Sequence, residues 1–145
     1  MLILADTNIL IRRVNRHDLQ HKDARSALRH FSTLEYQVCI VPQNILEFWN
    51  VATRPLDKNG LGLMPRHVER IVARFEQLYQ ILPENPDVYP LWRNLVAKYS
   101  VSGLKAYDTR IVASAMVYGI TKILTFNTAD FRRYSEIEVL DPKLF

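Results

Sequence analysis

The chain predicts an α/β domain built on a five-stranded, mostly parallel sheet with helices on both faces. Met1-Leu2-Ile3-Leu4-Ala5 is uniformly apolar, which marks a strand buried on both sides rather than one alternating between core and water. Short apolar runs then alternate along the chain with longer stretches of helical period, the pattern of strand–helix–strand units. Acids stand at the ends of these elements: Asp6 follows the first run, Asp130 follows the run over 120–126, and Asp108 opens an apolar helix. In open α/β sheets, sites form at the carboxyl ends of the strands.

The elements read in order as follows. Residues 1–5 form the first strand, and a helix over 8–14 carries Ile9, Leu10 and Val14 as its apolar positions. A second helix spans 18–34 with Ala24, Ala27, Leu28 and Phe31 inward. Residues 38–41 are a short buried strand stopped by Pro42. Pro42 or Gln43 opens a helix to about Thr53, and Arg54-Pro55 ends it, because a residue before proline avoids the helical region. Residues 56–65 hold two of the four glycines and read as an exposed loop. Then come a helix over 66–78, a strand over 79–82 stopped by Pro83, and a helix over 88–99. A strongly apolar helix over 108–118 is closed by Gly119, and strands over 122–125 and 137–140 complete the set. No repeat or interdomain linker interrupts this series, so residues 1–145 are expected to form one domain.

Composition fits that reading. Apolar residues make up 48% and charged residues 23% of the chain, ordinary values for a soluble globular domain. No apolar stretch reaches the roughly 18 residues that span a bilayer, so no membrane association is expected. Asp6 interrupts the apolar start and no basic segment precedes it, which argues against a signal peptide. Cys39 is the single cysteine, so no internal disulfide forms, consistent with a cytoplasmic protein. The net charge is +4 and the isoelectric point near 9.3. With several acids drawn into one site, the remaining surface is more basic still and suits a polyanion.

Each carboxylate also has an ordinary explanation. Asp6 can cap the helix that follows it, as can Asp108. Asn127 can cap a short turn, with Asp130 three residues on as its box-like partner. Glu47 lies on a helix where Gln43, Glu47, Asn50 and Arg54 share one narrow polar stripe on an otherwise largely apolar surface. That stripe lines a pocket or is the helix's solvated edge.

Four motifs in chain order are more specific than any one. Asp6-Thr7-Asn8, Gln43-x-x-x-Glu47, Asp108-x-x-Ile111-Val112-Ala113 and Leu124-Thr125-Phe126-Asn127-x-x-Asp130-Phe131 resemble the PIN-domain ribonucleases. They are most similar to the VapC-like toxins of type II toxin–antitoxin systems, over nearly the whole chain. The resemblance implies a five-stranded parallel sheet and a Mg²⁺- or Mn²⁺-dependent endoribonuclease with Asp6, Glu47, Asp108 and Asp130 as its catalytic and metal-binding acids. Thr7, Asn8 and Thr125 are expected to orient those acids or the phosphate, with Asn127 beside them. Some relatives carry an acid where this chain has Asn127, so three strong acids and a weaker fourth, Asp130, are expected. The resemblance also implies an RNA substrate, a cognate antitoxin and a homodimer.

The residue types suit that chemistry. Carboxylates are ligands for hard cations, which activate water and neutralise charge on a phosphate. Competing patterns are incomplete. His17 and His21 have the spacing of a zinc helix but lack the glutamate that follows the first histidine in that motif. No phosphate-cradling glycine loop occurs. A haloacid-dehalogenase-type phosphatase needs a second Asp where Asn8 stands, and the acidic pair and phospho-acceptor of a receiver domain are missing. Among the basic residues, Lys105 and Arg110 flank Asp108 and are expected to hold RNA phosphates. The alternatives to a toxin are a degenerate domain that binds RNA or a partner without cutting, and a housekeeping RNA-processing nuclease without an antitoxin.

Overall fold

A computed structural model describes residues 1–145. Five strands and seven α-helices follow one another as β1 (Leu2–Ala5), α1 (Thr7–Val14), α2 (His21–Thr33), β2 (Gln37–Ile40), α3 (Pro42–Thr53), α4 (Pro65–Leu78), β3 (Gln80–Ile81), α5 (Val88–Lys98), α6 (Lys105–Val117), β4 (Lys122–Leu124), α7 (Thr128–Phe131) and β5 (Glu138–Leu140). Short 3₁₀ turns occupy Leu56–Lys58 and Pro142–Leu144. The strands form one sheet in the order β3-β2-β1-β4-β5, and every adjacent pair is parallel. No helix is long and apolar enough to cross a membrane.

The central position of β1 explains its composition. Leu4 pairs with Cys39 on one side and Ile123 on the other, and Ile3, Leu4 and Ala5 are fully buried. The pleat sends alternate residues to opposite faces. Ile3 and Ala5 join Val38, Ile40 and Leu124 under α1–α4, where Ile9, Leu10, Phe31, Phe48, Val72 and Phe75 complete the core. Leu4 joins Cys39 and Ile123 under α5 and α6, against Leu95, Ile111, Val112 and Ala115. Each face is covered, so every position of β1 carries an apolar side chain.

The chain runs outward from β1 through β2 to β3, then returns across the sheet to β4 on the other side of β1. The C-terminal ends of β1 and β4 therefore flank the topological switch point, where an open sheet leaves a crevice. The elements around it end as their residues dictate. Pro42 takes the first helical position of α3, and Asn44 Oδ1 accepts from the Val41 N–H at 2.8 Å, satisfying a donor the helix cannot reach. Gly119 adopts φ +68° just beyond α6, a left-handed conformation that terminates the helix without steric cost.

Two helix starts differ from the pattern reading. Residues 18–20 are not helical: Asp18 accepts from the Gln20 N–H at 2.8 Å in a local turn, and α2 starts at His21. At the other end of the chain, α6 begins three residues earlier than expected, at Lys105. Asp108 therefore sits inside the first turn rather than before it and is not the cap of that helix.

Candidate active site

Asp6 occupies the position where β1 turns into α1. Its extended backbone makes it the N-cap, and Oδ1 accepts from the Thr7 N–H at 2.7 Å. Capping uses one oxygen only. Oδ2 accepts from Thr125 Oγ1 at 2.6 Å and from Asn8 Nδ2 at 2.9 Å. Thr125 follows β4, so these bonds stitch together the two strand ends at the switch point. The Thr125 hydroxyl also accepts from Asn8 Nδ2 and from the Asn127 N–H, both at 3.0 Å. Asn8 Oδ1 accepts from the Phe126 N–H at 3.2 Å. Three buried side chains, Asp6, Asn8 and Thr125, thus form a closed polar network under the crevice.

A second network holds Glu47. Thr7 Oγ1 donates to Glu47 Oε2 at 2.6 Å and accepts from Asn44 Nδ2 at 3.1 Å. Gln43 Nε2 donates to Glu47 Oε1 at 2.8 Å and to the Tyr107 carbonyl at 2.9 Å, tying α3 to α6. Both carboxylate oxygens of Glu47 are therefore fixed in direction. The polar stripe of α3 is a pocket wall: Gln43, Glu47, Asn50 and Arg54 line a cleft of about 640 Å³ together with Asp6, Thr7, Asn8, Asp108 and Asn127.

The cleft brings together three of the four acids singled out from the sequence. Asp6 forms its buried floor, while Glu47 and Asp108 stand on walls supplied by α3 and α6. Asp130 is not part of the lining; its Oδ1 is paired with Lys105 Nζ at 2.9 Å beside the cleft. Lys105 is thereby occupied by an acid. Arg110, expected to face the same cleft, lines a neighbouring concavity instead, with Nη2 on Glu84 at 2.8 Å and Nη1 on Gln43 Oε1 at 3.1 Å. Thr125 lies beneath the lining, and Asn127 makes no side-chain cap to α7. His21 Nδ1 bonds the Arg12 carbonyl at 2.8 Å, a structural contact.

The electrostatics of the acids follow from this placement. Burial pushes the Asp6 carboxyl up to about 6; the Thr125 and Thr7 hydrogen bonds oppose the rise, and the Glu47 charge adds to it. Asp108 is pushed up to about 7, first by burial and then by the charges of Asp6, Asp130 and Glu47, with Lys105 acting the other way. Unlike the other three, the Asp108 carboxylate has neither a hydrogen bond nor an ion pair. The donor set consists of carboxylate oxygens, with no histidine or cysteine, which fits a hard divalent cation and not zinc. The acids approach without closing: no three His, Cys, Asp or Glu groups are gathered tightly enough to hold a metal ion unaided.

Asn44 and the cleft-mouth residues Leu46, Leu104 and Tyr107 were not distinguished by the motifs. Asn44 sits at the third position of a helix opened by proline, which is a signal for capping rather than for a site. The other three are large, exposed apolar side chains that only the fold places at one opening.

Known proteins place this geometry in context. No curated protein matches the chain significantly. Solved structures match across it. A toxin–antitoxin complex from Klebsiella pneumoniae is 22% identical, with TM-score 0.69 and 97% of each chain covered. DNA-bound VapBC from Salmonella typhimurium is 20% identical, with TM-score 0.71 over 98% of this chain and 99% of that one. The sarcin–ricin loop cleaving toxin VapC20 of Mycobacterium tuberculosis is 16% identical, with TM-score 0.62 over 83% and 86%. At these identities the likeness is one of fold. The family model for the PIN domain matches residues 3–137, nearly the whole chain, and with the parallel sheet and its switch-point cleft this shows that the chain belongs to the PIN-domain family.

Proposed function

We propose that this protein is a divalent-metal-dependent endoribonuclease and the toxin of a type II toxin–antitoxin pair, acting in the cytoplasm. The observation that carries the reading is the convergence of three carboxylates, Asp6, Glu47 and Asp108, on one cleft, in which Asp108 has no protein partner. Its fold neighbours include toxin–antitoxin complexes and a toxin that cleaves the sarcin–ricin loop. Asp6, Asp108 and Glu47 would hold Mg²⁺ or Mn²⁺, with Asp130 as a fourth acid once released from Lys105. Such a cation supplies an activated water and neutralises charge on the scissile phosphate.

The chain's own residues prepare the site. Thr125, Asn8 and the Thr7 N–H fix both oxygens of Asp6, so its lone pairs have defined directions. The Thr7 hydroxyl and Gln43 do the same for Glu47. No protein nucleophile is called for. Thr7 Oγ1 is committed to Glu47, and the Cys39 thiol is buried and pushed up to about 12. The cleft carries more acids than bases, so a cognate antitoxin is expected to inhibit with a cationic side chain that occupies the metal's place. A homodimer is proposed as the working unit.

One observation keeps a second reading in view. With Asn127 an amide and Asp130 tied to Lys105, the fourth acid is compromised, as in a domain that binds RNA without cutting it. Purified protein and a panel of structured and single-stranded RNAs decide between the two. Cleavage with Mg²⁺ or Mn²⁺ that stops in EDTA and in Asp6→Asn supports the nuclease; RNA binding without cleavage under every metal supports the second reading. Growth arrest on expression, relieved by Asp6→Asn, separates a toxin from a housekeeping nuclease.

A further inference from the structure

We propose that Arg54 forms a phosphate subsite on the cleft wall, binding an RNA backbone phosphate next to the scissile one. The inference rests on the nuclease reading of the same cleft. The two basic residues flanking Asp108 in sequence are both engaged, Lys105 with Asp130 and Arg110 with Glu84. Arg54 is the one cationic side chain among the lining residues, and no carboxylate pairs with it. Its guanidinium makes a single long hydrogen bond, Nη2 to the Asn59 carbonyl at 3.4 Å. Its Nε is buried with no partner at all. With one long bond and no carboxylate partner, the guanidinium keeps Nη donors to spare for an anion in the cleft.

The backbone around Arg54 is held firmly. Its N–H donates to the Asn50 carbonyl at 3.1 Å, and its carbonyl accepts from the Gly62 N–H at 2.8 Å. The loop folds back so closely that a Cβ on Gly60 would lie 1.9 Å from the Arg54 carbonyl oxygen. This anchoring fixes the backbone from which the side chain reaches the cleft wall. Arg54 lies seven residues beyond Glu47 on the stripe that lines the cleft, two helical turns away. That offset suits a neighbouring phosphate rather than the reacting one. A planar guanidinium with free donors is matched to phosphate oxygens in a way that a lysine is not.

The test measures binding and cutting of a short single-stranded RNA by wild type, Arg54→Ala, Arg54→Lys and Arg54→Gln, with thermal melts to confirm folding; Gln keeps much of the side-chain stem. Binding is read by fluorescence anisotropy in Ca²⁺ over a series of salt concentrations, and cutting in Mn²⁺. Arg54→Ala and Arg54→Gln should weaken binding and raise KM by about tenfold. Their salt dependence should lose about one counterion's worth of slope, while Arg54→Lys keeps the slope and loses part of the affinity. Wild-type affinity and slope in folded Arg54→Ala or Arg54→Gln, with wild-type cutting intact, overturn the subsite and leave the nuclease reading standing. An absence of RNA binding and cutting by wild type overturns both.

Discussion

Thr125 Oγ1 donates a 2.6 Å hydrogen bond to Asp6 Oδ2, joining two residues 119 positions apart at the ends of β4 and β1. The hydroxyl is saturated, since it also accepts from Asn8 and from the Asn127 N–H. This bond is the largest influence restraining the rise of the Asp6 carboxyl caused by burial.

Thr125→Val keeps the shape and removes the donor. It leaves Asp6 Oδ2 short of a partner and two donors without their acceptor. We expect a loss of about 1–3 kcal/mol in stability. Thr125→Ser should recover most of it. Urea unfolding at pH 7 in EDTA checks both variants.

Asp108 ties stability to pH with a definite sign. Its carboxyl is raised from 3.8 to about 7 in the folded state, so the folded protein holds that proton more tightly than the unfolded chain. The stability this contributes is complete below the unfolded value and is lost as pH rises through the folded one. Asp6, raised to about 6, acts in the same direction. In EDTA, Asp108→Asn should therefore match wild type near pH 4, where Asp108 is protonated in the folded protein. Above about pH 7 it should exceed wild type by about 0.5–2 kcal/mol. Parallel melts of the two proteins across this range give the difference directly.

Cys39 is fully buried, its thiol lies 3.2 Å from the Ile3 carbonyl, and burial pushes it up to about 12. The native protein should not react with thiol reagents at pH 8, and the unfolded chain should titrate one thiol rapidly. Rapid native-state labelling would show that the centre of the sheet opens.

The centre of the sheet was legible because β1, β2 and β4 are buried on both faces. The runs around Leu4, Cys39 and Ile123 contain almost nothing but apolar residues; Pro42 closes the second of them, and Pro83 closes the strand over 79–82. Asp6 was legible for the same reason, as the first polar residue after such a run. The start of α6 was not. It lacks a side-chain cap, its N-cap is Leu104, and Asp108 imitates a cap four residues too late. The engagement of Lys105 and Arg110 was hidden as well, because Asp130 and Glu84 lie 25 and 26 residues away in sequence and meet them only through the packing of α6. The α3 stripe was visible as a pattern, but only the approach of α1 and α6 makes it a cleft wall.

Asp6, Glu47 and Asp108 are proposed to act together on one divalent cation. Titration of the metal-free protein with Mn²⁺, followed by calorimetry, tests it most directly. We predict saturable binding to wild type, weakened by about tenfold or more in Asp6→Asn and in Asp108→Asn, with both variants folded. The bound metal should also raise the wild-type melting temperature with its concentration, since it binds the folded state alone. Superimposable Mn²⁺ isotherms for wild type and both variants would contradict the account and leave Asp6 a helix cap and Asp108 an ordinary helix acid.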